Sequence, residues 1–179
     1  MQGKVHVAIG AGCLAVLCLK HPAGFTLADN VFIIPEIGMF TAAAGSLLPD
    51  IDMHSTSMGR KHKITSKVVN KVGGGHRGIT HTLLFPVLLV LATLSVMNFL
   101  AGYFWLQTIS SSLFFGFTFG YVMHIFADLF NGKGCPILWP ISRSKVSIAD
   151  LPSKGWVPWV FAFVVIGLFA ILIFGGNIL

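Results

Sequence analysis

Long apolar runs, broken at wide intervals by short polar knots, set the pattern of this chain. Five runs are apolar enough to cross a bilayer, at roughly 5–19, 31–48, 79–101, 103–127 and 156–175. The third, ITHTLLFPVLLVLATLSVMNFLA, makes a helix of about 34 Å, which fills a hydrocarbon core of about 30 Å with some tilt. The fourth carries Ser110, Ser111, Ser112, Gly116 and Gly120, small residues that let two helix backbones approach closely. The first is short for a span. Its VHVAIGAG stretch offers no clear cleavage site, so it is expected to be retained rather than removed as a signal peptide. The pattern predicts an all-α, polytopic membrane protein of about five transmembrane helices.

Composition narrows the picture. Of 179 residues, 55% are apolar and 10% charged, with a mean hydropathy of +0.83. That leaves too little polar surface to clothe a water-soluble globule, so lipid is part of the solvent. The length suits a single membrane-embedded domain over 1–179. Cys13, Cys18 and Cys135 are odd in number and lack paired spacing, which argues against both a disulfide framework and a thiolate metal site.

Charge sets the orientation. With five crossings, one face receives Lys4, the six basic residues of the 49–78 loop, and Lys133, Arg143, Lys145 and Lys154, while the other receives Lys20 alone. The positive-inside rule then places the N-terminus and the basic face in the cytoplasm, with Trp156 and Trp159 as an interfacial anchor of the last span.

On this map the histidines and aspartates converge. His6 starts the first span; LLPDIDMH puts Asp50, Asp52 and His54 at the end of the second. GGGHRGITHT puts His76 and His81 around the start of the third, and GYVMHIFAD puts His124 and Asp128 at the end of the fourth. His124 and Asp128 are four apart, so both project from one helix face and can grip one ion. His76 and His81 are five apart, which suits a loop bent by Gly73, Gly74 and Gly75 better than one regular helix. Pro49 disfavours helix at Leu48 and makes PDIDMH a wrapping segment. Mixed His and Asp ligation without cysteine suits Zn²⁺, with Mn or Fe as alternatives. The number of donors allows one or two ions, and paired ions are a common device for phosphoester hydrolysis. Ionisable groups at a membrane are costly, and three of the chain's six acids are spent here.

Each group has a plainer role open to it. A single His at a span end can be a headgroup anchor, Asp-x-Asp after Pro a solvated helix end, and His124 with Asp128 a structural hydrogen bond. His62 sits in a basic run, GRKHKITSKVVNK, that lacks interleaved aromatics. Contact with anionic lipid headgroups therefore fits that run better than nucleic acid. His21 falls on the opposite face, and Glu36 near the outer end of the second span. Arg77, between two candidate ligands, could hold a phosphate oxygen bidentately or fix the loop by pairing with Asp50 or Asp52.

The series LLPDIDMHSTSMGR, GHRGITHTLL, GYVMHIFAD and GCPILWP, in this order and on these spans, resembles the YdjM-type family. The resemblance covers about His6 to Pro140. It implies a bacterial inner-membrane protein, LexA-regulated (SOS response), of a kind described as metal-dependent hydrolases. Carried over residue by residue, it implicates His6, Asp50, Asp52, His76, Arg77, His81, His124 and Asp128, with His54 following the Asp-x-Asp-His pattern. KVHVAIG departs from the Gly-His or Thr-His start of such proteins, and Thr82 stands where Ser is familiar.

The reading is a metal-dependent hydrolase with its site at the cytoplasmic face, acting on a phosphoester or other ester of a lipid-type substrate. His6, Asp50, Asp52, His54, His76, His81, His124 and Asp128 form the metal-ligand pool. Asp52 is the candidate general base and Arg77 the anion-binding group. The NGKGCPILWP loop with Trp139 is expected to dip back and cover the site. Two rival classes are a non-catalytic, metal-stapled protein that recruits a partner and a metal-ion transporter. A transporter should carry its donors near the midplane rather than at one end.

Overall fold

The computed structural model describes residues 2–28, 31–52, 67 and 79–175. His54, His76, Arg77 and most of the basic run lie outside the described residues, and of Asp52 the backbone alone is described. In chain order come α1 (Gly3–Lys20), an antiparallel pair β1 (Phe25–Ala28) and β2 (Val31–Ile33), α2 (Pro35–Gly45), a 3₁₀ turn at Pro49–Asp52, another at Ile79–His81, α3 (Leu84–Phe99), α4 (Phe104–Leu129) and α5 (Val157–Gly175). The fold is mostly helical, with five helices among the described residues.

Three helices, α1, α4 and α5, are long and apolar enough to cross a membrane. The other two differ from the runs the pattern predicts. α3 has 16 residues, about 24 Å of helix, and α2 has 11, about 16 Å. The reason for the short α2 is local. Pro35 holds Ile34 extended (φ −87°, ψ 117°) and is itself well placed in a first helical turn. The β-branched and aromatic residues before it continue that extended backbone, so Phe25 pairs with Ile33 and Thr26 with Phe32. The 31–48 run thus descends first as a strand, then as a helix.

A strand-to-helix junction exposes backbone polar groups, which are expensive to leave unpaired in an apolar setting. Two serines of α4 pair with them. Ser111 Oγ donates to the Phe32 carbonyl at 2.8 Å, and the Ile34 N–H donates to Ser112 Oγ at 2.8 Å. From there α2 runs parallel to α4, in the most extensive contact of the fold. The register advances four residues at a time on both helices: Gly38 lies against Gly116, and Ala42 against Gly120. A Cβ at Gly120 would stand 2.0 Å from the Ala42 carbonyl oxygen, so no larger residue fits without parting the backbones.

α1 runs antiparallel to this pair and packs Gly10 against Ser46 and Gly120. α5 lies along α1 in the same direction: Ala162 joins Val5, Ile9, Cys13 and Ala127 in one apolar cluster, and Lys20 Nζ donates to the Ile173 carbonyl at the other end, 2.7 Å away. The remaining faces of α3 and α5 are apolar and exposed, as lipid-facing surfaces are. All three cysteines are free. α1, α3 and α5 start, and α2 and α4 finish, at the same end of the bundle.

The loop after α4 is tied to that end. The Ile148 N–H donates to the Leu129 carbonyl (2.7 Å), Gly132 N–H to Asp150 Oδ1 (3.0 Å), and Leu83 N–H to the Ile137 carbonyl (3.1 Å). Cys135 and Val146 form an antiparallel bridge. The loop therefore braces the turn that carries His81, with Trp139 half-buried beside that tie.

Candidate metal centre

Five of the eight candidate ligands lie together. His6 comes from the first turns of α1, Asp50 from the 3₁₀ turn after α2, His81 from the 3₁₀ turn before α3, and His124 and Asp128 from the end of α4. His6, His81 and His124 are fully buried, Asp128 is 1% exposed and Asp50 7%. Pro49 opens the turn that aims Asp50 inward. Of the rest of the pool, Asp52 closes the same turn, while His54, His76 and the candidate anion-binder Arg77 lie outside the described residues. His21 sits at the far end beside Phe25, and Glu36 is exposed in the first turn of α2.

The distances describe a small polyhedron. His81 Nε2 is 3.3 Å from His124 Nε2, 3.4 Å from Asp128 Oδ2 and 4.0 Å from Asp50 Oδ1. His124 Nε2 is 3.7 Å from Asp128 Oδ2 and 3.8 Å from Asp50 Oδ1. A tetrahedral ion with ligand distances of about 2.0–2.1 Å needs edges of about 3.3–3.4 Å. His81 Nε2, His124 Nε2 and Asp128 Oδ2 stand at or slightly outside that spacing, with Asp50 Oδ1 further out from both imidazoles. The residues present fit a divalent ion, and Asp50 has the furthest to move.

The tautomer of His124 is fixed from behind. Its Nδ1 lies 2.6 Å from the Ser46 carbonyl, which can only accept, so Nδ1 carries the hydrogen and Nε2 offers its lone pair to the cluster. His81 is steadied by Thr80, whose Oγ1 is 3.1 Å from His81 Nδ1. The Thr80 carbonyl accepts a short hydrogen bond from the buried Tyr121 hydroxyl, and the Tyr121 ring stacks on Phe85 at 4.8 Å. Ser46, Thr80 and Tyr121 were not among the sequence candidates. Tyr121 had a faint signal, a hydroxyl inside an apolar helix three residues before His124; a backbone carbonyl has none.

His6 stands apart. Its ring stacks on His124 with centroids 3.8 Å apart, its Nε2 reaches Asp128 Oδ1 at 3.5 Å, and neither ring nitrogen makes a hydrogen bond among the described residues. Asp128 thus presents Oδ2 to His81 and His124 and Oδ1 to His6. Two donor groups result, Asp50/His81/His124 and His6/His124/Asp128. Two buried carboxylates require compensating positive charge, which a metal ion or protonated imidazoles can supply.

Comparison with known proteins decides the family. The family described as YdjM inner membrane protein matches residues 1–178. The chain belongs to the YdjM family. Among curated relatives it is 38% identical over 110 residues to inner membrane protein YdjM of Escherichia coli (strain K12), a match covering 61% of this chain and 52% of that protein. The Shigella flexneri protein of the same name matches to the same extent. The uncharacterized protein YvsG of Bacillus subtilis (strain 168) is 32% identical over 141 residues, covering 78% of this chain and 74% of YvsG. The chain thus spans about half the length of the two YdjM proteins it matches. No solved structure matches it significantly. The helices and the family agree on an inner membrane protein, and the donor cluster gives this YdjM-family chain a site that could hold a metal ion.

Proposed function

We propose that this chain is a membrane-embedded, metal-dependent hydrolase acting on a phosphoester, or another ester, of a lipid-type substrate at the cytoplasmic membrane face. One observation carries the reading: donors from four separate segments meet in one buried cluster at one end of a membrane bundle, in two groups of three whose spacings suit metal ions. His81, His124 and Asp128 would hold the ion, with Asp50 at the longer distances of 4.0 and 3.8 Å from the two imidazoles, and His6 would face a second ion across Asp128. Zn²⁺ fits this donor set, with Mn or Fe as alternatives. A bound divalent ion supplies Lewis acidity toward a phosphoryl or carbonyl oxygen and lowers the pKa of water. Asp52, on the same turn as Asp50, is the assigned proton acceptor, and Arg77 binds the anionic head. The excess of basic residues at the site end supports a cytoplasmic placement and contact with anionic lipid.

A specific observation also favours a non-catalytic staple. Asp50 lies within 4.0 Å of His81 and 3.8 Å of His124, and drawn in beside them and Asp128 it would fill a tetrahedral ion and leave no open position, as in structural sites. Transport is less favoured, because the donors gather at an end rather than the midplane.

Metal per chain by mass spectrometry, with turnover of phosphatidic acid and phosphatidylglycerol in mixed micelles, separates these readings. The expected result is bound metal and turnover in wild type, both lost in His81→Ala. Metal without turnover of any phosphoester or ester lipid points to the staple. Well-folded wild type without metal overturns both.

A further inference from the structure

The rim of the bundle at the site end carries a feature the metal centre does not use. From Lys133 to Trp156 the chain runs past three helix ends and is tied to each. The Ile137 carbonyl accepts from Leu83 N–H just before α3, the Leu129 carbonyl that ends α4 accepts from Ile148 N–H, and Trp156 leads into α5. Yet the side chains of this collar turn outward. Ile141 is 91% exposed and Trp156 73%, and Leu138, Val146 and Ile148 are exposed as well. Lys133, Arg143, Lys145 and Lys154 are exposed among them. Asp150, the only acid between Lys133 and Trp156, is turned back on the chain, its Oδ1 accepting from Gly132 N–H at 3.0 Å.

We infer that this collar docks on the anionic phospholipid headgroups of the leaflet at the site end. Its aliphatic tips enter the headgroup–acyl boundary and its cations meet lipid phosphates. Three observations select that occupant. The first is height. Gly10 lies against Gly120, and Gly12 against Ile166. Counted from those contacts along the helices, Leu129 and Trp156 stand level, each about 12–14 Å further toward the site end. Ile148, bonded to Leu129, is thus held at the height of an exposed tryptophan at the start of a span, where aromatic belts mark the interface. The second is composition. Four exposed cations share the stretch with five exposed large apolar side chains, a mixture suited to a charged layer over hydrocarbon. Each cation near an anionic leaflet favours association about fivefold. The third is charge, which disfavours the nearest alternatives. The 53–78 stretch of the same chain carries six basic residues and no acid, and a second copy would bring the same cationic end.

The test uses the full chain in nanodiscs of phosphatidylcholine, alone or mixed with phosphatidylglycerol. A nitroxide is attached at Ile141→Cys or Ile148→Cys; the three native cysteines are buried, and wild type taken through the same labelling gives the background. Collision with a water-soluble nickel chelate, read by electron paramagnetic resonance, reports whether each site lies in water or in lipid. Phosphatidylglycerol is expected to cut nickel collisions at both sites about fivefold or more, the effect of at least one engaged cation. Lys133→Gln, Arg143→Gln, Lys145→Gln and Lys154→Gln in one chain should return collisions to the phosphatidylcholine level. High salt, which screens exposed charge, gives the same comparison if that variant folds poorly. Free nickel access in both kinds of disc, as a docking site for an acidic soluble protein would show, overturns the inference. Protection that ignores lipid charge overturns it too. Neither metal content nor turnover enters this readout, so the hydrolase reading stands or falls separately.

Discussion

Gly120→Ala is the smallest change that should dismantle the metal centre without touching a ligand. The added Cβ would stand 2.0 Å from the Ala42 carbonyl oxygen, against the 3.4 Å at which ordinary contact begins, so α2 and α4 must part by about 1.4 Å. Overpacking of this kind costs about 1–3 kcal/mol. Carried one turn along to His124, the opening stretches the 2.6 Å contact between Nδ1 and the Ser46 carbonyl to about 4 Å, beyond hydrogen-bond reach. His124 then loses the partner that fixes its tautomer, and Asp50, already 3.8 Å from His124 Nε2, moves with α2 out of range of a shared ion. Loss of such orientation typically lowers metal affinity about 10- to 100-fold. The assay is metal per chain after equilibration with a weak competing chelator, alongside thermal melting followed by circular dichroism. Gly167→Ala is the matched control. It is the same chemical change in α5, where a Cβ meets nothing within 4 Å, and should be neutral or stabilising by up to about 1 kcal/mol. A Gly120→Ala protein that holds metal like wild type would refute the argument that the glycine contact sets the donor spacing.

Three further outcomes follow from individual contacts. Tyr121→Phe removes the hydroxyl that holds the Thr80 carbonyl and should weaken metal retention about 10- to 100-fold with the helical fold intact, read by chelator competition. Ser112→Ala leaves the Ile34 N–H without its side-chain acceptor and should destabilise the bundle by about 1–3 kcal/mol in a denaturation titration, with no change in metal stoichiometry. His6→Phe keeps a ring stacked on His124 but removes the donor facing Asp128 Oδ1. It should spare the ion held by His81, His124 and Asp128 Oδ2 and abolish any second equivalent; complete metal loss would contradict the division of donors across Asp128.

Much of this arrangement was legible in the sequence, for reasons that also mark the limits of the reading. Apolar runs reveal α1, α3, α4 and α5 because burial in lipid demands uninterrupted apolarity. The pairing of His124 with Asp128 follows from helical periodicity, and the turn at Asp50 from the stereochemistry of Pro49. The 31–48 run misleads because hydropathy does not distinguish an extended from a helical apolar backbone. Its clue was Pro35, which ends the extended stretch and starts the helix. The glycines of α4 announced a close neighbour, but not that the neighbour is α2, nor that the two run parallel in four-residue steps. The supports of His81 and His124 stayed hidden because two of them are main-chain carbonyls, which every residue possesses.

That last point has a consequence for how the site can vary. The group orienting His124 is the carbonyl of residue 46, while the Ser46 side chain itself bonds the Ala42 and Gly120 carbonyls. No single replacement at position 46 deletes the atom that sets the imidazole. A substitution there is filtered by size, because Gly10 of α1 packs directly against it. The orientation of this ligand is thus a property of where two backbones cross, and it can be inherited unchanged through sequences that share no side chain at that position.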